Sequence, residues 1–138
     1  MALPSVGGGY QFNDGNLNEV KISVAAAPAT ATDSATLTVA QLTNGIIIGT
    51  PTTTAAYTLP LAADVDAALG NAKVGSTFDF RVINTTTAGV ITMTTNTGWS
   101  IGSGGSQGLM TIAATAGTVR AFRARKTGDG TWALYAIS

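Results

Sequence analysis

From Ser76 onward the side chains alternate in character: Phe78, Phe80 and Val82 fall on one face, Asp79 and Arg81 on the other. A period of two is the mark of a half-buried strand. The same pattern predicts a strand over Glu19 to Ala27, with Val20, Ile22 and Val24 facing inward, and another over Thr36 to Leu42. Ile46-Ile47-Ile48 is a continuous apolar run, read as a strand buried on both faces, and Asn44-Gly45 before it is a turn signal. A short strand over Ala56 to Leu59 is stopped by Pro60. Further strands are predicted over Gly89 to Thr95, Leu109 to Thr115, Val119 to Lys126 and Thr131 to Ile137. Thr127-Gly128-Asp129-Gly130 joins the last two as a hairpin. Ala62 to Leu69 is the one helical stretch: Ala and Leu favour it, early Asp64 and Asp66 suit its first turn, and Gly70-Asn71 ends it. About nine or ten short strands at this spacing predict an all-β fold, an antiparallel β-sandwich of jelly-roll-like form with one short helix. Residues 19–138 are read as that single domain and 1–18 as an N-terminal arm. No period is long enough to read as a solenoid.

The arm has few anchors. Gly7-Gly8-Gly9 and Asn13-Asp14-Gly15-Asn16 punctuate it, and Tyr10, Phe12 and Leu17 are its large apolar residues. It reads either as a frayed terminus or as a docking arm that orders by burying those three side chains against a partner.

Composition changes this picture in one respect. The 138 residues are 45% hydrophobic, but many are alanine, and Phe 4, Tyr 3 and Trp 2 leave few large core-builders. Burial free energy scales with apolar area, so self-association into a closed homo-oligomer is expected to supplement the core. Charged residues are 10% of the chain and balance to zero. That argues against nucleic acid as a partner, since phosphate neutralisation needs a basic excess. With Cys 0 there is no disulfide framework and no thiolate metal site. Neither a signal-peptide pattern nor a membrane-spanning run is present, and a soluble, non-secretory protein is expected.

Candidate chemistry is sparse. His 0 and Cys 0 remove the commonest general base and the best thiol nucleophile, so an enzyme is not expected. Asp64 and Asp66 form the one tight carboxylate pair, which lacks the further oxygen ligands a calcium loop needs. It reads as the charged turn of a solvated helix. The remaining carboxylates, among them Asp14, Glu19, Asp33, Asp79 and Asp129, sit at turns, edges or exposed faces, where a glycosidase pair is not expected. Gly102-Ser103-Gly104 lacks the lysine and helix of a phosphate loop. No cofactor and no metal are expected. Arg120, Arg123, Arg125 and Lys126 gather four of the seven cations on one strand. Alternation places Arg123 and Arg125 with Val119 and Ala121, and Arg120 opposite, with Phe122. These arginines read as a solvated strand balanced by Asp79 and Asp129, or as a subunit or partner contact, because guanidinium grips carboxylates bidentately. Trp132 is assigned to the core, and Trp99 to a cap over the end of the fold or a stacking platform.

Three segments in order carry a resemblance: LTVAQLTNGIIIGTP, AAYTLPLAADVDAAL and NAKVGSTFDFRVINTTT, followed by TMTTNTGWSIGSGG and a closing TWALYAI. Together they resemble a module of tailed-bacteriophage virion proteins, particularly of marine and cyanobacterial phages. The resemblance implies a catalytically inert, typically trimeric component of the virion surface. With no collagen-like, coiled-coil or β-helical shaft in the sequence, a capsid decoration (cement) protein is expected rather than a fibre. Its partner would be the major capsid protein, with Tyr10, Phe12 and Leu17 or the arginines of the 119–126 strand at the contact. The alternative is a head-fibre or tail-fibre tip that binds host carbohydrate through Trp99, Tyr57 and Asn/Thr-rich loops.

Overall fold

Ten strands and two short helices carry residues 22–138, the part of the chain that the computed structural model describes. In chain order they are β1 (Ala29–Ala31), β2 (Ala35–Thr36), α1 (Val39–Asn44), β3 (Ile46–Gly49), β4 (Ala55–Thr58), α2 (Ala62–Ala68), β5 (Thr77–Asn84), β6 (Ile91–Thr94), β7 (Trp99–Ser100), β8 (Thr111–Ile112), β9 (Thr118–Gly128) and β10 (Thr131–Ala136). They form a six-stranded sheet, ordered β1-β3-β5-β9-β10-β7, and a four-stranded sheet, ordered β2-β4-β6-β8.

The expected wholly antiparallel, jelly-roll-like pairing is not what joins them. β1, β3 and β5 run parallel, as do β2, β4 and β6, and β7 runs parallel to β10. Antiparallel pairing is confined to β5–β9, β9–β10 and β6–β8. The chain therefore lays a strand in one sheet, turns a corner, lays the next in the other sheet, and returns to stack a new rung on the last. Rungs at residues 29–36, 46–58 and 77–94 stack in this way, with α1 and α2 in the two return connections. The β9–β10 hairpin lies against the last rung. Hydrogen bonds continue around both corners: Thr50 N–H donates to Ala31 C=O and Thr85 N–H to Gly49 C=O, while Leu37 N–H donates to Thr58 C=O and Leu59 N–H to Thr94 C=O. The rungs differ in length, which is why no repeat is visible in the sequence.

The second helix is a departure from the expected strand over Thr36 to Leu42. Thr38 and Gln41 form a capping box: Gln41 N–H donates to the Thr38 hydroxyl, and Gln41 Oε1 accepts from Thr38 N–H at 2.8 Å. Gly45, at φ 97°, closes α1 in the left-handed region, where any side chain would be strained. Asn44-Gly45 is thus a helix stop rather than a hairpin turn. The Gln41 amide also donates to Thr30 C=O at 2.8 Å, covering part of the outer edge of β1.

Side chains from both sheets enter one core. Phe80 and Phe122 stack with ring centroids 5.4 Å apart, and Trp132 meets Phe78 at 5.6 Å and Trp99 at 6.2 Å. Tyr57, Leu59, Ile91, Met93 and Ile112 meet them from the four-stranded side, all buried. Each such large side chain contributes about 1.5–3 kcal/mol. Alternation in β5 places Phe80 and Val82 on one face, which is buried, Phe122 of β9 is buried beside them, and Trp132 is core as expected. Of the Ile46-Ile47-Ile48 run only Ile47 is fully buried; its neighbours face outward.

The arm at 1–18, with Tyr10, Phe12 and Leu17, lies outside the described residues. Residues 22–28 belong to no sheet, in contrast to the half-buried strand expected from Glu19 to Ala27. Ile22 and Val24 are 90% and 102% exposed.

Candidate functional site

Neighbouring strands bring side chains distant in sequence into rows on the outer face of the six-stranded sheet. Register sets Ile48 beside Ile83 and Ile83 beside Val119, and in the next row Ile46 beside Arg81 and Arg81 beside Ala121. Below them Asp79 faces Arg123, which faces Tyr135, and Thr77 faces Arg125. Strands lie about 4.8 Å apart, so one end of this face is an apolar row and the other is charged. Ile46, Val119 and Ile137 are 39%, 48% and 45% exposed. Ile48 and Ile83 within the row are half-buried, so the row is a partly exposed apolar strip, and contiguous apolar surface is a candidate interaction site.

The three candidate arginines have different roles. Arg123 pairs bidentately with Asp79, Nε to Oδ1 at 2.7 Å and Nη2 to Oδ2 at 2.9 Å. That hydrogen bonding, with the charges of Arg123 and Arg81, holds the Asp79 carboxyl below its ordinary range, and Asp79 raises Arg123 in turn. Arg125 is exposed and joins none of the ion pairs among the described residues, and the same is true of Arg81. Arg120 lies on the opposite side of the strand, as alternation requires. Its Nε donates to Thr111 C=O at 2.7 Å and its Nη1 to Ser138 C=O at 2.6 Å. It clasps β9 to β8 and to the last residue, and is occupied structurally. Arg81 belongs with Arg123 and Arg125; its place on a different strand kept it out of the sequence-derived cluster, although the alternation of FDFRV already set it outward.

Two residues proposed for stacking on sugars are withdrawn from the surface. Trp99 is 9% exposed and its indole N–H donates to Pro60 C=O at 2.6 Å. Tyr57 is fully buried, its hydroxyl 2.9 Å from both Ala31 C=O and Thr32 C=O. Burial, with the nearby charge of Asp33, pushes its phenol up to about 12. Tyr57 pins two rungs together, and Trp99 ties β7 to the connection that leads into α2. The Asp64–Asp66 pair also divides. Asp64 is exposed, whereas Asp66 accepts from Gly130 N–H and from the Trp132 indole at 2.8 Å, and lies 3.1 Å from Lys126 Nζ. Among the described residues no group of three or more carboxylates, histidines or cysteines converges to hold a metal ion.

Threonine side chains make several of the contacts between rungs. Asp33 accepts from Thr52 N–H and from its hydroxyl, both at 2.8 Å, and those bonds lower its carboxyl. Thr85 and Thr86 hydroxyls donate to Gly49 and Pro51 C=O at 2.9 and 3.0 Å. Buried Asn84 donates to Gly89 and Ala113 C=O at 2.9 and 3.0 Å.

A groove of about 480 Å³ opens elsewhere, beside edge strand β2, between the start of α1 and the start of α2. Thr36, Leu37, Val39, Pro60, Leu61 and Asn96 are among its walls.

Comparisons with family models, with curated proteins and with solved structures yielded no match to this chain.

Proposed function

We propose that this protein is a structural virion component, a capsid decoration protein that binds the outer surface of a bacteriophage head and stabilises the shell without catalysis. The observation that carries the reading is the outer face of the six-stranded sheet. It sets Ile48, Ile83 and Val119 in a row above Arg81, Arg123 and Arg125. An apolar row at one end of the face with guanidinium groups beside it suits docking onto a protein surface that offers carboxylates. The resemblance of most of residues 35–138 to phage virion modules supports the major capsid protein as that surface. A ligand that binds the assembled shell, and not its dissociated subunits, stabilises the shell by linkage.

The carbohydrate-binding fibre tip is the weaker reading, because Trp99 and Tyr57 are buried and hydrogen-bonded inside the fold. Stoichiometry in purified particles separates the two. Decoration requires copies in fixed proportion to the major capsid protein, on the order of hundreds per head, whereas a fibre tip occurs in a few copies. A few copies, or none, would overturn the decoration reading.

A further inference from the structure

The stack of parallel rungs is open at its first end. β1 and β2 are both edge strands, paired on one side with β3 and β4. Ala31 C=O accepts from Thr50 N–H, and Leu37 N–H donates to Thr58 C=O. Successive residues of a strand aim these groups to opposite sides, so the N–H and C=O of Thr30 and Thr36 point away from the stack. The Gln41 amide meets Thr30 C=O, and a carbonyl keeps a second lone pair for another donor. Inward positions at this end are small and incompletely covered. Ala29 is half-buried and Ala35 exposed, although their neighbours in the next rung, Ile47 and Tyr57, are fully buried. An uncovered terminal rung is where stacked folds carry a cap.

We infer that residues 10–18 of the same chain are that cap, a further rung laid on β1 and β2. Their sequence has the layout of the first rung. Tyr10-Gln11-Phe12 matches the in-out-in alternation of Ala29-Thr30-Ala31, Asn13 to Asn16 makes the corner, and Leu17-Asn18 matches Ala35-Thr36. Tyr10, Phe12 and Leu17 then cover Ala29, Ala31 and Ala35, placing large side chains over alanines. The corner carries a match of its own. Asp33 stands two residues after Ala31 and accepts from the N–H and hydroxyl of Thr52, in the corner of the next rung. Asp14 stands two residues after Phe12, and its equivalent partner is Ser34. The Ser34 hydroxyl accepts from Ala56 N–H at 2.9 Å, which leaves its proton for a carboxylate. The occupant is the chain's own segment because of where the described part begins. Residues 22–28 lead into the N-terminal end of β1 as residues 37–45, with α1, lead into β3, and Asn44 Nδ2 fastens Ala27 C=O to the end of α1. A segment tethered so closely has an effective concentration of about millimolar, above that of a second copy in dilute solution. This inference is independent of the capsid reading; it moves Tyr10, Phe12 and Leu17 from a partner contact into the fold.

The chain has no cysteine of its own, so one engineered pair reports the register. Gln11→Cys/Thr30→Cys in the full chain sets two thiols side by side on the outer surface of adjacent strands, within disulfide reach. Mild oxidation of a mixture of isotope-labelled and unlabelled protein should give a disulfide joining peptides 11 and 30 within single molecules. Mixed-label disulfides alone would assign the edge to a second copy and overturn the inference, as would the absence of any disulfide. In denaturant melts, Tyr10→Ser/Phe12→Ser should raise the unfolding equilibrium constant by at least about a hundredfold. Val6→Ser, outside the added rung, should leave it unchanged. An unchanged midpoint in the Tyr10/Phe12 variant would also overturn the inference and return these aromatics to the role of a docking arm.

Discussion

Asp66 shows how much of the molecule rests on single polar side chains with distant partners. In sequence it is a helix-turn aspartate beside Asp64, and its local setting carries no further signal. In the fold its carboxylate joins α2 to the β9–β10 hairpin through Gly130 N–H, the Trp132 indole and Lys126. The Gly130 bond first, then Trp132 and Lys126, hold its carboxyl below the ordinary value of 3.8. A depressed carboxyl adds stability that is fully present above its unfolded-state value and is lost as pH falls through the folded one. Asp66→Asn is therefore expected to lower stability at pH 7 by about 2–3 kcal/mol, since largely buried Lys126 keeps only the longer, exposed contact to Asp129 at 3.8 Å. Denaturant melts from pH 6 down to pH 2.5 should show a shallower acid-side loss in the variant. Equal slopes in the two proteins would show that Asp33 and Asp79 carry the acid sensitivity instead. Tyr57 is similar in kind: an aromatic in an alternating strand reads as core, but the two carbonyls its hydroxyl meets lie in another rung.

At the scale of elements, the stacking of unequal rungs depends on close backbone approach. A Cβ at Gly89 would collide with the backbone of Thr53 and Thr54 in the rung beneath. Gly89→Ala should consequently cost several kcal/mol, roughly the scale of severe steric strain in a core, or prevent folding. Gly45→Ala, which meets no neighbour but keeps φ 97°, should cost about 1 kcal/mol. Chemical denaturation of the pair checks the order, and a Gly89→Ala protein as stable as Gly45→Ala would contradict the rung contact. Individual elements were well legible: β5, β9, β10, their hairpin and α2 lie within a residue or two of where alternation and breakers place them. α1 was not, because Leu37 and Val39 fit the alternation of a strand while Val39 and Leu42 fit the i, i+3 spacing of a helix. The Thr38–Gln41 capping box and Gly45, present in the sequence, decided between them.

For the whole molecule, the outer sheet face is the surface on which the proposed capsid contact stands or falls. Arg81→Glu/Arg125→Glu changes two exposed side chains outside the ion pairs of the described residues, so folding stability should move by no more than about 0.5 kcal/mol. Binding to undecorated heads should fall steeply, and wild-type binding should weaken with added salt as exposed charges are screened. Unchanged co-sedimentation of the charge-reversed protein with heads would remove this face from the contact. The sequence reading reached Arg123 and Arg125 and the side they occupy, missed Arg81, and included Arg120, which the fold has turned to clasping β8 and the C-terminal residue.

Alternation, breakers and turn residues are local, and they were enough to determine that this is a strand-rich chain, that Phe78, Phe80 and Val82 share one face of β5, and that Trp132 belongs to the core. Strand direction and partner were decided only by the tertiary structure. Backbone hydrogen bonds are made by groups common to every residue, so a strand's sequence states which side is apolar without stating what lies beside it. Parallel stacking of β1, β3 and β5 and of β2, β4 and β6 follows from corners and return helices of unequal length, whose contacts span tens of residues. That stacking sets Ile48, Ile83 and Val119 side by side, and a surface assembled from three separate strands exists only once the chain has folded.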